Sequence, residues 1–166
     1  MKMAMKIKNY LSVVLTILSC TCFGSFANAS ITEFTQANFE QMKQDNQGKQ
    51  WLMLLWSVDC PPCFKELALI QTIRQKEPNI NIAIVNVDTE LEAEKQRASV
   101  LVSYGLTDLN NYYFADGMAA RNRYLIDPTW YGELPRSYFV ETNGTFHGKS
   151  GLVNEQLLSQ WLLTDK

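Results

Sequence analysis

Trp51-Leu52-Met53-Leu54-Leu55-Trp56 is an unbroken apolar run, and Cys60-Pro61-Pro62-Cys63 follows it after only three residues. A run of that length, preceded by the turn signal Gln47-Gly48-Lys49, reads as a strand buried on both faces, since a half-exposed strand would alternate apolar and polar residues. Beyond Cys60 the period changes. Leu67, Ile70 and Ile73 recur at helical spacing, and Pro61 or Pro62 suits the first turn of a helix, where a missing N–H costs nothing. Two cysteines three positions apart therefore stand where a buried strand gives way to a helix. That placement suits either dithiol redox chemistry or metal capture.

The amino terminus separates these two readings. Lys2, Lys6 and Lys8 precede the apolar stretch Leu11 to Leu18, and Ala27-Asn28-Ala29 supplies the small-x-small pattern that signal peptidase reads. Residues 1–29 are thus expected to be a cleaved secretory signal and residues 30–166 a single domain, consistent with a length of 166 residues and a hydrophobic fraction of 46%. A retained anchor is the first alternative, although the apolar stretch falls short of the ~20 residues of a bilayer span. Lipidation of Cys20 in Ile17-Leu18-Ser19-Cys20 is the second. Cleavage removes Cys20 and Cys22 from the total of 4 cysteines, leaving only Cys60 and Cys63 and no structural disulfide to account for them. It also removes three lysines and no acid, moving the formal charge from -2 to -5, a balance that does not invite nucleic acid.

Along the rest of the chain, Thr35 to Lys43 suits a short amphipathic helix with Ala37, Phe39 and Met42 on its apolar side. Ile80 to Val87 is rich in β-branched residues and reads as a second buried strand, and Glu90 to Tyr104 as a helix stopped by Gly105. Tyr112 to Ala115 suits a short strand, Met118 to Leu125 a helix, and Asp127-Pro128-Thr129 a turn. Arg136 to Val140 and Thr145 to Gly148 flank Asn143-Gly144, a strong hairpin signal, and Asn154 to Leu163 closes the chain as an amphipathic helix. The order predicts an α/β fold with a central mixed sheet flanked by helices.

A redox dithiol needs one accessible sulfur with a stabilised thiolate and a second within a helical turn to resolve the mixed disulfide. Cys60, at the helix N-terminus, meets the first requirement and Cys63, a turn later and more buried, the second. The chemistry asks for no cofactor beyond the Cys60–Cys63 disulfide, and no metal. Each intervening proline removes a backbone N–H that would stabilise the Cys60 thiolate, which points to a comparatively reducing couple; simple stiffening of the helix start is the alternative reading.

The motif at residues 56–63, the Leu134-Pro135 step before a strand and the Asn143-Gly144 hairpin occur in the order found in the thioredoxin-like superfamily. More narrowly, Cys-Pro-Pro-Cys-Phe-Lys-Glu and Glu133-Leu134-Pro135-Arg136-Ser137-Tyr138-Phe139-Val140 resemble the corresponding segments of the exported TlpA/ResA/CcmG-type thiol-disulfide oxidoreductases. The resemblance covers roughly Thr35 to Leu163. It implies a thioredoxin-like fold, a cis Pro135 packed beside the disulfide, and backbone groups of Leu134 offered to the substrate chain. Glu66 matches the acidic residue three positions after the second cysteine, where a carboxylate would relay the Cys63 proton; an exposed helix charge is the alternative. The resemblance further implies protein thiols and disulfides as partners, a membrane thiol-transfer protein as electron donor, and an exported location in a bacterial periplasm or on an extracytoplasmic face.

The chain also departs from the pattern. Asp59 stands before Cys60 where the superfamily commonly has tryptophan, placing a negative charge beside the nucleophile. Leu54 occupies the strand position of the buried aspartate in cytosolic thioredoxins, and Leu67-Ala68-Leu69-Ile70 lacks the usual helix proline. Tyr112, Tyr113, Tyr124, Trp130 and Tyr131 lie between the second helix and Pro135, and Trp130 is a candidate wall of a substrate groove, with a core position as its alternative. Two further functions use the same cysteines: an oxidase or isomerase, and a copper-handling protein in which Cys60, Cys63 and His147 bind one metal. His147 otherwise reads as a surface strand residue.

Overall fold

The computed structural model describes residues 31–163; the expected signal segment, with Cys20 and Cys22, lies outside them. No helix among the described residues is long and apolar enough to cross a membrane. The elements are β1 (Thr32–Glu33), α1 (Gln36–Asp45), β2 (Trp51–Trp56), α2 (Pro61–Lys76), β3 (Ile82–Asn86), α3 (Ala93–Ser103), β4 (Asn110–Tyr113), α4 (Ala119–Ile126), β5 (Arg136–Val140), β6 (Phe146–Ser150) and α5 (Glu155–Leu163). They build one six-stranded sheet in the order β1-β4-β3-β2-β5-β6. β2 pairs parallel with β3 and antiparallel with β5, so the sheet is mixed, as the element order predicts.

The apolar run is explained by its place in this order. β2 is an interior strand and each of its residues is buried. Successive side chains point to opposite faces. Leu52, Leu54 and Trp56 join a core with Leu67, Ile70 and Ile73 of α2, Leu101 of α3 and Leu158 of α5. Trp51, Met53 and Leu55 join a second core with Phe39 and Met42 of α1 and with Trp130. Both faces are roofed by helices, so neither tolerates a polar residue, and the period-2 alternation disappears.

Several boundaries differ from the sequence reading for identifiable reasons. β1 is not legible in sequence because it is only two residues long and pairs solely with β4. β4 begins two residues before Tyr112, and its Asn110 and Asn111 pair with Ala83 and Ile84. α3 begins at Ala93, because Glu90-Leu91-Glu92 forms a turn. Ala37 is exposed on α1, whose buried side is Phe39 and Met42. The hairpin is present, but Val140 faces Phe146, so its loop spans residues 141–145 and Asn143-Gly144 closes a wider turn than a two-residue connection. α2 ends where Glu77 turns extended before Pro78, the conformation that a following proline imposes.

Candidate active site

The turn after β2 delivers Cys60 to the head of α2, where it is the N-cap residue, followed by Pro61 and Pro62 in the first helical positions. The next backbone amide, that of Cys63, donates to Cys60 Sγ at 3.3 Å. This is the hydrogen bond to sulfur that two consecutive prolines leave available. Cys60 and Cys63 are joined in a disulfide. Cys63 is wholly buried whereas Cys60 retains 7% of its surface, with Pro61 and Pro62 exposed beside it. Asp59 is exposed, and its amide donates to Ser57 Oγ.

The sheet brings the Leu134-Pro135 step to the same place. Leu55 pairs with Arg136, so Pro135 lies one position further toward the end of β2 that leads to Cys60. The Leu134–Pro135 peptide is cis. Pro135 is buried, and Leu134 packs against both cores. Arg136, the next residue, is held in three ways: its Nη2 pairs with Asp127 at 2.8 Å, its Nη1 donates to Ser150 Oγ at 3.0 Å, and its guanidinium stacks 4.7 Å from the Tyr138 ring centroid. Gly148 on β6 permits this packing, since a Cβ there would overlap the Arg136 guanidinium and come within 2.9 Å of the Tyr138 ring. Burial pushes the Tyr138 phenol up to about 12, so it stays protonated and donates to Asp127 at 3.2 Å.

Glu66 lies one helical turn beyond Cys63, on the same side of α2. It is only 1% exposed, which overturns the reading of an exposed helix charge. The Ser137 hydroxyl, from the strand that follows Pro135, donates to Glu66 Oε1, and Oε2 is buried. Burial pushes the Glu66 carboxyl above its ordinary value; the Ser137 hydroxyl, the Val153 amide and the Lys149 charge act in the opposite sense without reversing it. Glu66 and Ser137 thus form a buried hydrogen-bonded pair one helical turn beyond Cys63.

Trp130 is not a groove wall. It is 5% exposed and packs in the core on the α1 side of the sheet, opposite α2, with its indole N–H donating to the Glu133 carbonyl at 3.0 Å. The exposed aromatics of that segment are Tyr124 and Tyr131. The copper ligand set is not assembled either. His147 pairs with Phe139, three residues and about 10 Å along β5 from Arg136, and its Nε2 contacts Glu141 at 2.8 Å. Among the described residues no group of three or more His, Cys, Asp or Glu side chains is placed to hold a metal.

Sequence reasoning missed a network that shapes the turn before Cys60. Asp88, just past β3, accepts from the Ser57 hydroxyl at 2.5 Å, the Val58 amide at 2.8 Å and Asn86 Nδ2 at 2.7 Å. Arg97, 4% exposed on α3, donates through Nε to Asn86 Oδ1 at 2.8 Å and through Nη2 to the Asp88 carbonyl at 3.2 Å. Burial draws the Arg97 guanidinium below its usual value, with the Asp88 charge opposing. Only the motif-like proximity of Asn86 and Asp88 hinted at this in sequence. Asp88→Ala strands two donors from the turn and one from Asn86, and is expected to cost about 2–3 kcal/mol. The measurement is a lower denaturant midpoint at unchanged slope; an unchanged midpoint would show that the turn holds itself.

No protein-family model matches this sequence, and no curated protein matches it. Solved structures do. A secreted Mycobacterium tuberculosis disulfide oxidoreductase homologous to E. coli DsbE aligns with a TM-score of 0.55 at 20% identity, over 73% of this chain and 85% of that one. A thiol:disulfide interchange protein of the thioredoxin family from Chlorobium tepidum gives 0.57 at 14% identity, over 74% and 83%. Mycobacterium tuberculosis DsbF, in mixed oxidised and reduced forms, gives 0.55 at 16% identity, over 73% and 84%. Identities this low speak to architecture, and the architecture is unambiguous: this chain has the thioredoxin-like fold.

Proposed function

We propose that the chain is an exported thiol-disulfide oxidoreductase that reduces disulfides in other proteins, working on its two sulfurs alone. The observation that carries the reading is the Cys60–Cys63 disulfide at the N-terminus of α2. In the reduced enzyme the Cys60 thiolate attacks one sulfur of a substrate disulfide, forms a mixed disulfide and expels the other substrate sulfur as a thiolate. The Cys63 thiol gives its proton to Glu66, and the Cys63 thiolate attacks Cys60 Sγ. The Cys60–Cys63 disulfide forms, the second substrate thiolate leaves and takes up a proton, and two electrons have passed from enzyme to substrate. Leu134 presents its backbone to the substrate chain in β-type pairing. A membrane thiol-transfer protein re-reduces the disulfide.

The reducing direction follows from what stabilises the Cys60 thiolate. A dithiol becomes more oxidising as its reduced thiolate is better stabilised. Pro61 and Pro62 withhold two amides, one amide remains, and Asp59 adds a negative charge nearby. Export rests on the basic and apolar segment ending at Ala29. The test is the potential of the Cys60–Cys63 couple, equilibrated against glutathione or dithiothreitol buffers. A value more negative than about -200 mV is expected; one near about -120 mV would make the protein an oxidase.

A further inference from the structure

A cleft of about 500 Å³ opens at the same end of the parallel strands as the disulfide, between the start of α3 and the end of β4. Its walls are Ile31, Leu91, Ala98, Tyr113 and Phe114, with the buried Arg97 also lining it. Leu91, one of these walls, is 82% exposed. The rim carries Glu90, Glu94 and Asp116, none of which forms an ion pair with a described residue. Three acids thus stand against one buried cation, which is already engaged with Asn86 and Asp88.

The position of the cleft relative to the disulfide follows from the strand order. Cys60 follows β2, and the cleft lies beyond β4, two strands away across β3. At the usual strand spacing that is about 10 Å. An extended polypeptide covers that distance in about three residues. In open α/β sheets, ligands bind in the crevice outside the carboxyl ends of the strands, where both features lie.

We propose that this cleft docks the substrate protein itself, taking an apolar side chain about three residues from the substrate's reactive cysteine, flanked by lysine or arginine that meets Glu90, Glu94 and Asp116. The proposal rests on the thiol-disulfide reading above and names the class of protein substrate. The apolar side chain fills the space between Leu91, Ala98 and the Tyr113 and Phe114 rings, and the basic residues settle on the rim. A small disulfide such as oxidised glutathione is too short to use the cleft and reacts at Cys60 without it.

The test uses the reduced full-length protein and three probes. These are a glutathionylated cysteine peptide with leucine three residues away between two lysines, the same peptide with serine and glutamates in those places, and oxidised glutathione. The basic-apolar peptide is expected to show a KM about tenfold lower than the acidic one, the factor that burying one large apolar side chain supplies. Ala98→Trp, which fills the cleft from an exposed helix position, and Glu94→Lys, which reverses the rim charge, should each erase that preference while leaving turnover of oxidised glutathione unchanged. Failure of the wild type to reduce any probe would sink the redox reading. Docking is then still read from the anisotropy of a labelled basic-apolar peptide whose cysteine is replaced by serine. Equal KM for both peptides, or a preference that survives both substitutions, overturns the docking proposal. So does occupancy of the cleft by the chain's own first 30 residues, revealed if their removal is required for peptide binding.

Discussion

Cys60→Ser is expected to abolish disulfide reduction, leaving only the uncatalysed rate, whereas Cys63→Ser should halt the reaction after its first step. The difference follows from position. Cys60 is the N-cap of α2, retains accessible surface and accepts the Cys63 amide at its sulfur, so it is the thiolate a substrate can reach. Cys63 has no exposed surface and can attack only what is already bound to Cys60. Cys63→Ser should therefore accumulate mixed disulfides with partner proteins, visible as reducible high-mass bands on non-reducing gels, and Cys60→Ser should not. The opposite pattern, with Cys60→Ser trapping partners, would reverse the two roles. A protein in which neither variant traps a partner would not be exchanging disulfides with proteins.

The parts of the fold that were legible in sequence are those whose local signal and tertiary setting agree. β2 reads correctly because both of its faces are covered, which leaves a contiguous apolar run. α2 reads correctly because proline suits its first turn and the residue before Pro78 leaves the helix. What escaped depends on partners distant in sequence. Arg97 is charged and sits in a helix with little apolar character, yet Asn86, Asp88 and the Tyr113 ring, 4.8 Å from its guanidinium carbon, make its burial tolerable. No local pattern announces such an arginine. Trp130 was ambiguous for the converse reason. An aromatic beside a turn is equally at home in a groove or a core, and only the course of the chain across the sheet placed it on the α1 side.

The site shows the same division. The cysteines and their helix follow from local spacing, whereas the setting of Glu66 is set by Ser137, 71 residues away, on the strand that begins immediately after Pro135. The position of Pro135 and the buried carboxyl are thus two consequences of one strand's placement. β5 pairs with β2, which leads to Cys60, and its Ser137 reaches the helix that carries Cys63.

Glu66→Gln is expected to slow the step in which Cys63 resolves the mixed disulfide by about a hundredfold, the lower end of what a positioned general base supplies. Burial raises the Glu66 carboxyl above its ordinary value of 4.5, so the folded protein holds that proton into a range where the unfolded chain has lost it. Its contribution to stability is therefore fully present below about pH 4.5 and is lost as pH rises through the folded value, the reverse of a salt-bridged carboxylate. Catalysis runs the other way, since only ionised Glu66 can accept the Cys63 proton, and resolution should accelerate through that same raised value. Glu66→Gln should flatten both profiles. Ser137→Ala removes a hydrogen bond that lowers the Glu66 value, and should shift the rate profile to higher pH while keeping its shape. Stopped-flow measurement of product release from a preformed mixed disulfide, across the pH range, reads all three proteins. A Glu66→Gln variant with the wild-type rate and pH profile would leave Glu66 a structural residue, and Cys63 would have to lose its proton directly to water or to the departing substrate thiolate.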